Sequence, residues 1–195
     1  MSSFNTQYTR ETRETSISVE LNVYGQQQIH IDTGLGFADH MLTLLAFWAG
    51  FDLRVSARGD LEVDAHHTLE DVGLCLGETL FRTLADKSGL SRVGWARVPM
   101  DEALAEVAID LSGRPYLVYQ DDILPAMIFQ QEKDLWREFF KSLAFRAKMN
   151  LHIHYRYGRN GHHLLESACK GLGLCLRQAL CQDQSGIRST KGSLD

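Results

Sequence analysis

Apolar residues recur at helical spacing over residues 40–49 and 135–148, and the same period returns over Thr68–Leu84 and Leu164–Leu180. FDLRVSA and MNLHIHYRY alternate apolar with polar positions, the pattern of half-buried strands. Further strand-like runs precede each helix pair: SISVELNVYG with QQQIHID, then ALAEVAIDL with PYLVYQ, separated by turn signals such as SGRP. Strand pairs alternating with helices in two similar halves predict an α+β layered architecture, with helices packed on one face of each sheet. No linker rich in Gly, Pro or Ser divides the halves, so they are expected to share a core.

The similarity of the halves extends to individual residues. A shift of 96 positions pairs HHTLEDVGLCLGETLFRTL (66–84) with HHLLESACKGLGLCLRQAL (162–180), matching His66 to His162, His67 to His163, Glu70 to Glu166 and Gly77 to Gly173. A shift of 98 pairs HMLTLLAFWAGFDLRV (40–55) with EFFKSLAFRAKMNLHI (138–153) and sets His40 opposite Glu138. Two ungapped matches in the same order indicate an internal duplication.

The duplicated element carries chemistry. The chain has 8 histidines, and half of them fall in the two His-His-x-x-Glu doublets. On a helix Glu70 can meet both His66 and His67, whereas the two rings leave the axis roughly 100° apart. Adjacent histidines are therefore poorly placed to grip one ion and well placed to serve two. His40, His66, His67, Glu70, Glu138, His162, His163 and Glu166 make a set of eight imidazole and carboxylate donors, which suits a first-row divalent ion better than Ca or Mg. Such a set furnishes two sites with positions left open to substrate. The order of residues is not the zincin H-E-x-x-H. His30, and His152 with His154, lack a repeat partner and are read as packing or hydrogen-bonding groups.

Composition narrows the classes of function. At 195 residues and 44% hydrophobic, the chain can bury a real core, and a net charge of −5 offers no basic field to hold a nucleic acid. The stretch MSSFNTQYTRETRETS lacks the basic and apolar regions of a secretory signal, and MLTLLAFWAGF is too short to span a bilayer, which points to the cytoplasm and away from membranes. Cys75, Cys169, Cys175 and Cys181 form no C-x-x-C pair and lie on apolar helix faces, the pattern of reduced, buried thiols. Arg92, Arg114, Lys170 and Lys191 are basic residues able to converge on an anion, with Ser189 and Thr190 in a polar tail; Lys170 lies about 12 Å along its helix from the metal face.

Taken together, RETSI, GFADHML, GDLEVDAHHTLEDVGLCLG, VPMDEAL, DLSGRPYLVY, LHI, HHLLESACK and STKGSL resemble the imidazoleglycerol-phosphate dehydratases in order and spacing, from about Thr9 to Leu194. The resemblance implies a duplicated α+β fold with helices sandwiched between four-stranded sheets, of the kind seen in the second domain of a small-subunit ribosomal protein. It divides the chain into halves at about 9–90 and 91–185 and a substrate-binding tail at 188–195. It implies loss of water from imidazole glycerol phosphate to give imidazole acetol phosphate, a step of histidine biosynthesis. It further implies two manganese ions per active site and a homo-oligomer of twenty-four chains with active sites at subunit interfaces. The eight donors above are then the metal ligands; Arg92, Arg114, Lys170, Ser189, Thr190 and Lys191 hold the phosphate. Glu14 is placed near the substrate for proton transfer, and His40, His66, Glu70, His163 and Glu166 take part in the chemistry.

Three positions depart from the family pattern: Glu138 stands where many members have His, Leu44 where a substrate-contacting Gln is common, and Arg188 where Pro is usual. The chemistry accounts for the donor set. The C–H to be broken lies next to no carbonyl; an imidazole ring held by metal as imidazolate can expel the hydroxyl through a diazafulvene-type intermediate. Two rivals are a dimetal phosphate-ester hydrolase, which predicts phosphate release, and a non-catalytic metal store or sensor, for which Glu14 and the basic cluster would be idle.

Overall fold

The strand from Thr15 to Asn22 buries Thr15, Ile17, Val19 and Leu21 and turns Ser16, Ser18 and Glu20 away from the core, so its alternating sequence fixes which face meets the interior. A computed structural model describes residues 6–84, 88–182 and 186–192. The order along the chain is β1 (Thr6–Glu11), β2 (Thr15–Asn22), β3 (Ile29–Asp32), α1 (Gly36–Ala49), β4 (Asp52–Gly59) and α2 (His66–Thr83). The second half follows as β5 (Val93–Met100), β6 (Ala103–Asp110), β7 (Tyr116–Gln120), a small hairpin of β8 (Met127–Ile128) and β9 (Gln131–Glu132), α3 (Asp134–Arg146), β10 (Asn150–Tyr157) and α4 (Gly161–Ala179).

The two halves repeat one topology. The first sheet runs β1-β2-β4-β3 and the second β5-β6-β10-β7, with β3 parallel to β4, β7 parallel to β10 and the other neighbours antiparallel. Both four-stranded sheets and the helices between them agree with the expected α+β architecture. Neither β1 nor β5 stands out as a strand in the hydrophobic pattern; β1 is an edge strand of polar composition, TQYTRE, that buries none of its residues fully.

The halves do not fold side by side. Helix α2 lies on the first sheet and packs against α3 of the second half, while α4 lies on the second sheet and packs against α1 of the first. Two repeat-related glycines permit these crossings. A Cβ on Gly77 would come within 2.6 Å of Leu143 O, and one on Gly173 within 2.6 Å of Leu45 O. Leu45 and Leu143 are themselves repeat partners, so the duplication preserves the contact as well as the residue. Around it Trp136, Phe139 and Phe140 of α3 and Met41, Leu42 and Leu45 of α1 are buried, each contributing roughly 1.5–3 kcal/mol of hydrophobic stabilisation.

Candidate active site

Each doublet lies in the first turn of its helix, two residues after an Asp or Asn whose side chain accepts the backbone N–H of its first histidine. Asp64 Oδ1 accepts the His66 N–H at 2.7 Å, and Asn160 Oδ1 accepts the His162 N–H at 3.0 Å. Both helices thus begin at or just before their doublets, earlier than the apolar period alone indicates. The paired rings then diverge as helical geometry requires: interplanar angles are 83° for His66 and His67 and 81° for His162 and His163.

His162 turns toward α1. His40, His162 and Glu166 bring donor atoms within 4.8 Å of one another, a group able to hold a metal ion. Glu166 Oε2 lies 3.2 Å from His162 Nε2 and 3.5 Å from His40 Nε2, while Lys170 Nζ donates to Glu166 Oε1 at 2.6 Å. Burial by itself would raise the Glu166 carboxyl, but hydrogen bonds from Lys170, His162 and His40 outweigh it and hold the group below the ordinary carboxylate value. Phe37 stands edge-on to His162 with ring centroids 5.2 Å apart and walls this side of the cluster.

The repeat-related group differs. His66 Nε2 faces Glu70 Oε2 at 3.6 Å, and Glu138, on α3 where α1 carries His40, is taken by Lys141 Nζ at 2.8 Å. A lysine thus accompanies each group from opposite partners: from the doublet helix at Glu166, from the facing helix at Glu138. His67 and His163 turn elsewhere. His67 Nδ1 lies 2.9 Å from Asp60 Oδ2 and 3.8 Å from Glu14 Oε2; His163 Nδ1 lies 2.7 Å from Glu102 Oε2. Hydrogen bonds to Asp60 and Glu102 raise the two imidazoles above their ordinary value. Glu102 is pulled down to about 2, by His163 first and then by the backbone N–H groups of Asn160 and Arg159.

Glu14 sits in the β1–β2 turn, which Asp71 of α2 ties down. Asp71 accepts from Arg10 Nε at 2.8 Å and from the Thr15 hydroxyl, and Thr12 Oγ1 accepts the Glu14 and Thr15 N–H groups at 3.1 and 2.9 Å.

The basic residues gather at the other end of the second sheet. Arg92, Arg114, Arg188, Ser189, Thr190 and Lys191 line a cavity of 490 Å³. Arg92 adopts a positive φ of 70°, grips Asp110 through Nε at 2.6 Å and Nη2 at 2.9 Å, and donates from Nη1 to Arg188 O at 2.5 Å. Arg188 therefore adds a cation to the cavity and its carbonyl anchors the tail. Lys170 does not join this cluster; it lies four residues from Glu166 on α4 and spends its charge there. Leu44 packs against the core, and His152 and His154 line a separate cleft on the outer face of the second sheet.

Sequence reasoning passed over Asp60, Asp71 and Glu102, and marked Arg188 only as a departure from the family pattern. Asp60 and Glu102 lie in the quoted GDLEVDAHHTLEDVGLCLG and VPMDEAL, but only folding brings them against His67 and His163.

A profile of the imidazoleglycerol-phosphate dehydratase family matches residues 33–176. The chain belongs to the imidazoleglycerol-phosphate dehydratase family. It is 64% identical over 186 residues to the imidazoleglycerol-phosphate dehydratase of Maridesulfovibrio salexigens, covering 95% of each chain, and 47% identical over 187 residues to that of Clostridium botulinum, again covering 95% of each. Solved structures agree. The dehydratase of Pyrococcus furiosus matches with a TM-score of 0.83 at 38% identity, covering 96% of this chain and 100% of that one; that of Staphylococcus aureus matches with a TM-score of 0.82 at 34% identity, covering 91% and 98%. Membership makes the protein an enzyme, a dehydratase. Among the described residues no helix is long and apolar enough to cross a membrane.

Proposed function

We propose that the protein removes water from imidazole glycerol phosphate to give imidazole acetol phosphate, a step of histidine biosynthesis, with divalent manganese as its metal. The observation that carries this reading is the convergence of His40 from one half with His162 and Glu166 from the other. Two imidazoles and a carboxylate without a nearby thiolate fit a borderline-to-hard ion such as Mn²⁺. The remaining donors, His66, His67, Glu70, Glu138 and His163, lie outside that group in one chain, which fits two ions per site completed at subunit interfaces of a twenty-four-chain assembly.

His40, His162 and Glu166 would hold such an ion, which would supply Lewis-acid charge to offset the negative charge of the substrate ring. The protein's own groups do the rest. Glu14, carried on the pinned turn beside His67, moves a proton at the substrate carbon. Arg92, Arg114, Ser189, Thr190 and Lys191, with Arg188, hold the phosphate, and their cavity is wide enough to admit it. Lys170 keeps Glu166 ionised and facing His40 and His162.

Loss of water from imidazole glycerol phosphate, measured with and without added Mn²⁺, tests the reading. Metal-dependent turnover is the expected result; a fully metallated but inactive protein, or one that releases phosphate instead, would sink it. Lys191→Ala should raise KM with little change in kcat.

A further inference from the structure

The duplication extends to the hairpin turns. The pairing Glu11↔Ser16 of β1–β2 recurs as Pro99↔Leu104 of β5–β6, the same displacement along both strands, so the turn residues Arg13 and Glu14 fall on Asp101 and Glu102. Each turn thus presents a glutamate to the second histidine of its own half's doublet. There the two copies part. Glu102 Oε2 meets His163 Nδ1 at 2.7 Å while Oε1 accepts the backbone N–H groups of Arg159 at 3.1 Å and Asn160 at 2.8 Å, so the carboxylate is clamped by three donors. The Glu14 side chain is 58% exposed, stands 3.8 Å from His67 Nδ1, and shows no hydrogen bond to its carboxylate among the described residues. At His67 the hydrogen-bonded place is filled by Asp60 Oδ2, at 2.9 Å, from the end of a different strand.

We propose that Glu102 and Asp60 are positioning residues that hold His163 and His67 with the proton on Nδ1, leaving each Nε2 lone pair for a metal ion, and that Asp60 thereby frees Glu14 for proton transfer. A neutral imidazole has one donor and one acceptor nitrogen, and an ionised carboxylate only accepts, so the nitrogen facing it must carry the hydrogen. A ligating histidine is commonly fixed in this way through its other nitrogen. On the far side of His163, Asp101 Oδ2 stands 3.8 Å from Nε2, beyond hydrogen-bond reach.

This inference rests on reading His163 and His67 as metal ligands. Glu102→Gln is the decisive variant: its carbonyl can still accept the Arg159 and Asn160 N–H groups, but its amide NH₂ turns to Nδ1, makes it an acceptor and moves the imidazole proton to Nε2. Titration of the metal-free full-length protein with Mn²⁺ should show affinity weakened by about 10–100-fold, with the unfolding midpoint of the metal-free protein unchanged. Asp60→Asn should do the same at His67, whereas Glu14→Gln should keep the wild-type Mn²⁺ affinity and lose turnover. Wild-type affinity in Glu102→Gln overturns the proposal, and should that variant fail to fold, wild-type affinity in Asp60→Asn overturns it instead. His163→Ala separates the two levels: if it too retains Mn²⁺ fully, the metal-ligand reading itself has failed; if it loses the ion while Glu102→Gln keeps it, only the positioning role falls.

Discussion

His162 and His163 are neighbours in sequence, yet one faces His40 and Glu166 and the other faces Glu102. The first-turn position of the doublet produces this split, because adjacent side chains there leave the helix in different directions. The same scale explains Glu138. As a ligand, its carboxylate, paired with Lys141 in one chain, would give the proposed second metal site a harder character than His40 would give the first. Glu138→His should therefore shift metal preference from Mn²⁺ toward Zn²⁺ or Ni²⁺; competition titrations showing an unaltered preference would remove Glu138 from the ligand set. The cysteines give a third residue-level expectation. Burial pushes the Cys75 and Cys175 thiols up to about 12 and Cys169 higher still, so all three are neutral at pH 8, while Cys181 is exposed. Alkylation at pH 8 followed by mass analysis should find a single modified thiol per folded chain, Cys181, and four after denaturation.

The elements that matter most for the site are the crossing of α4 on α1, which brings His162 and Glu166 to His40, and its repeat counterpart of α2 on α3. Gly77 and Gly173 allow the backbones to approach that closely. Adding a methyl group at either should separate the helices and cost about 1–3 kcal/mol, as overpacking does, visible as a lowered midpoint in chemical unfolding. Gly173→Ala should also weaken metal retention, since α4 carries His162 and Glu166 against His40. Gly36→Ala is the contrast: a Cβ there meets nothing within 4 Å, and the helix gains up to about 1 kcal/mol from the better helix former. A destabilised Gly36→Ala beside an unaffected Gly77→Ala would reverse this account of the packing.

For the molecule as a whole, one chain gathers His40, His162 and Glu166 but leaves the other proposed donors outside that group, so the proposed site calls for a second copy. Mixed oligomers test this. Co-assembling His40→Ala with His67→Ala should restore part of the activity that each lacks alone, because some interfaces then receive both intact histidines; no recovery on mixing would place the whole site in one chain. Much of this protein was legible in its sequence. Apolar periodicity gave the helices and most strands, and the duplicated His-His-x-x-Glu, matched with His40 and Glu138, marked candidate metal donors, of which His40, His162 and Glu166 converge, because a repeat preserves spacing and spacing on a helix sets direction. The edge strands β1 and β5 were illegible, since β1 lacks the apolar alternation that a covered strand shows. Which donors meet was decided only by tertiary structure. His40 finds its partners more than a hundred residues away because α1 packs on α4 of the other half, and Glu102 reaches His163 because a hairpin turn and a helix start meet at one end of a sheet. Local pattern governs the direction of a side chain along its own element, while long-range packing chooses the element it faces.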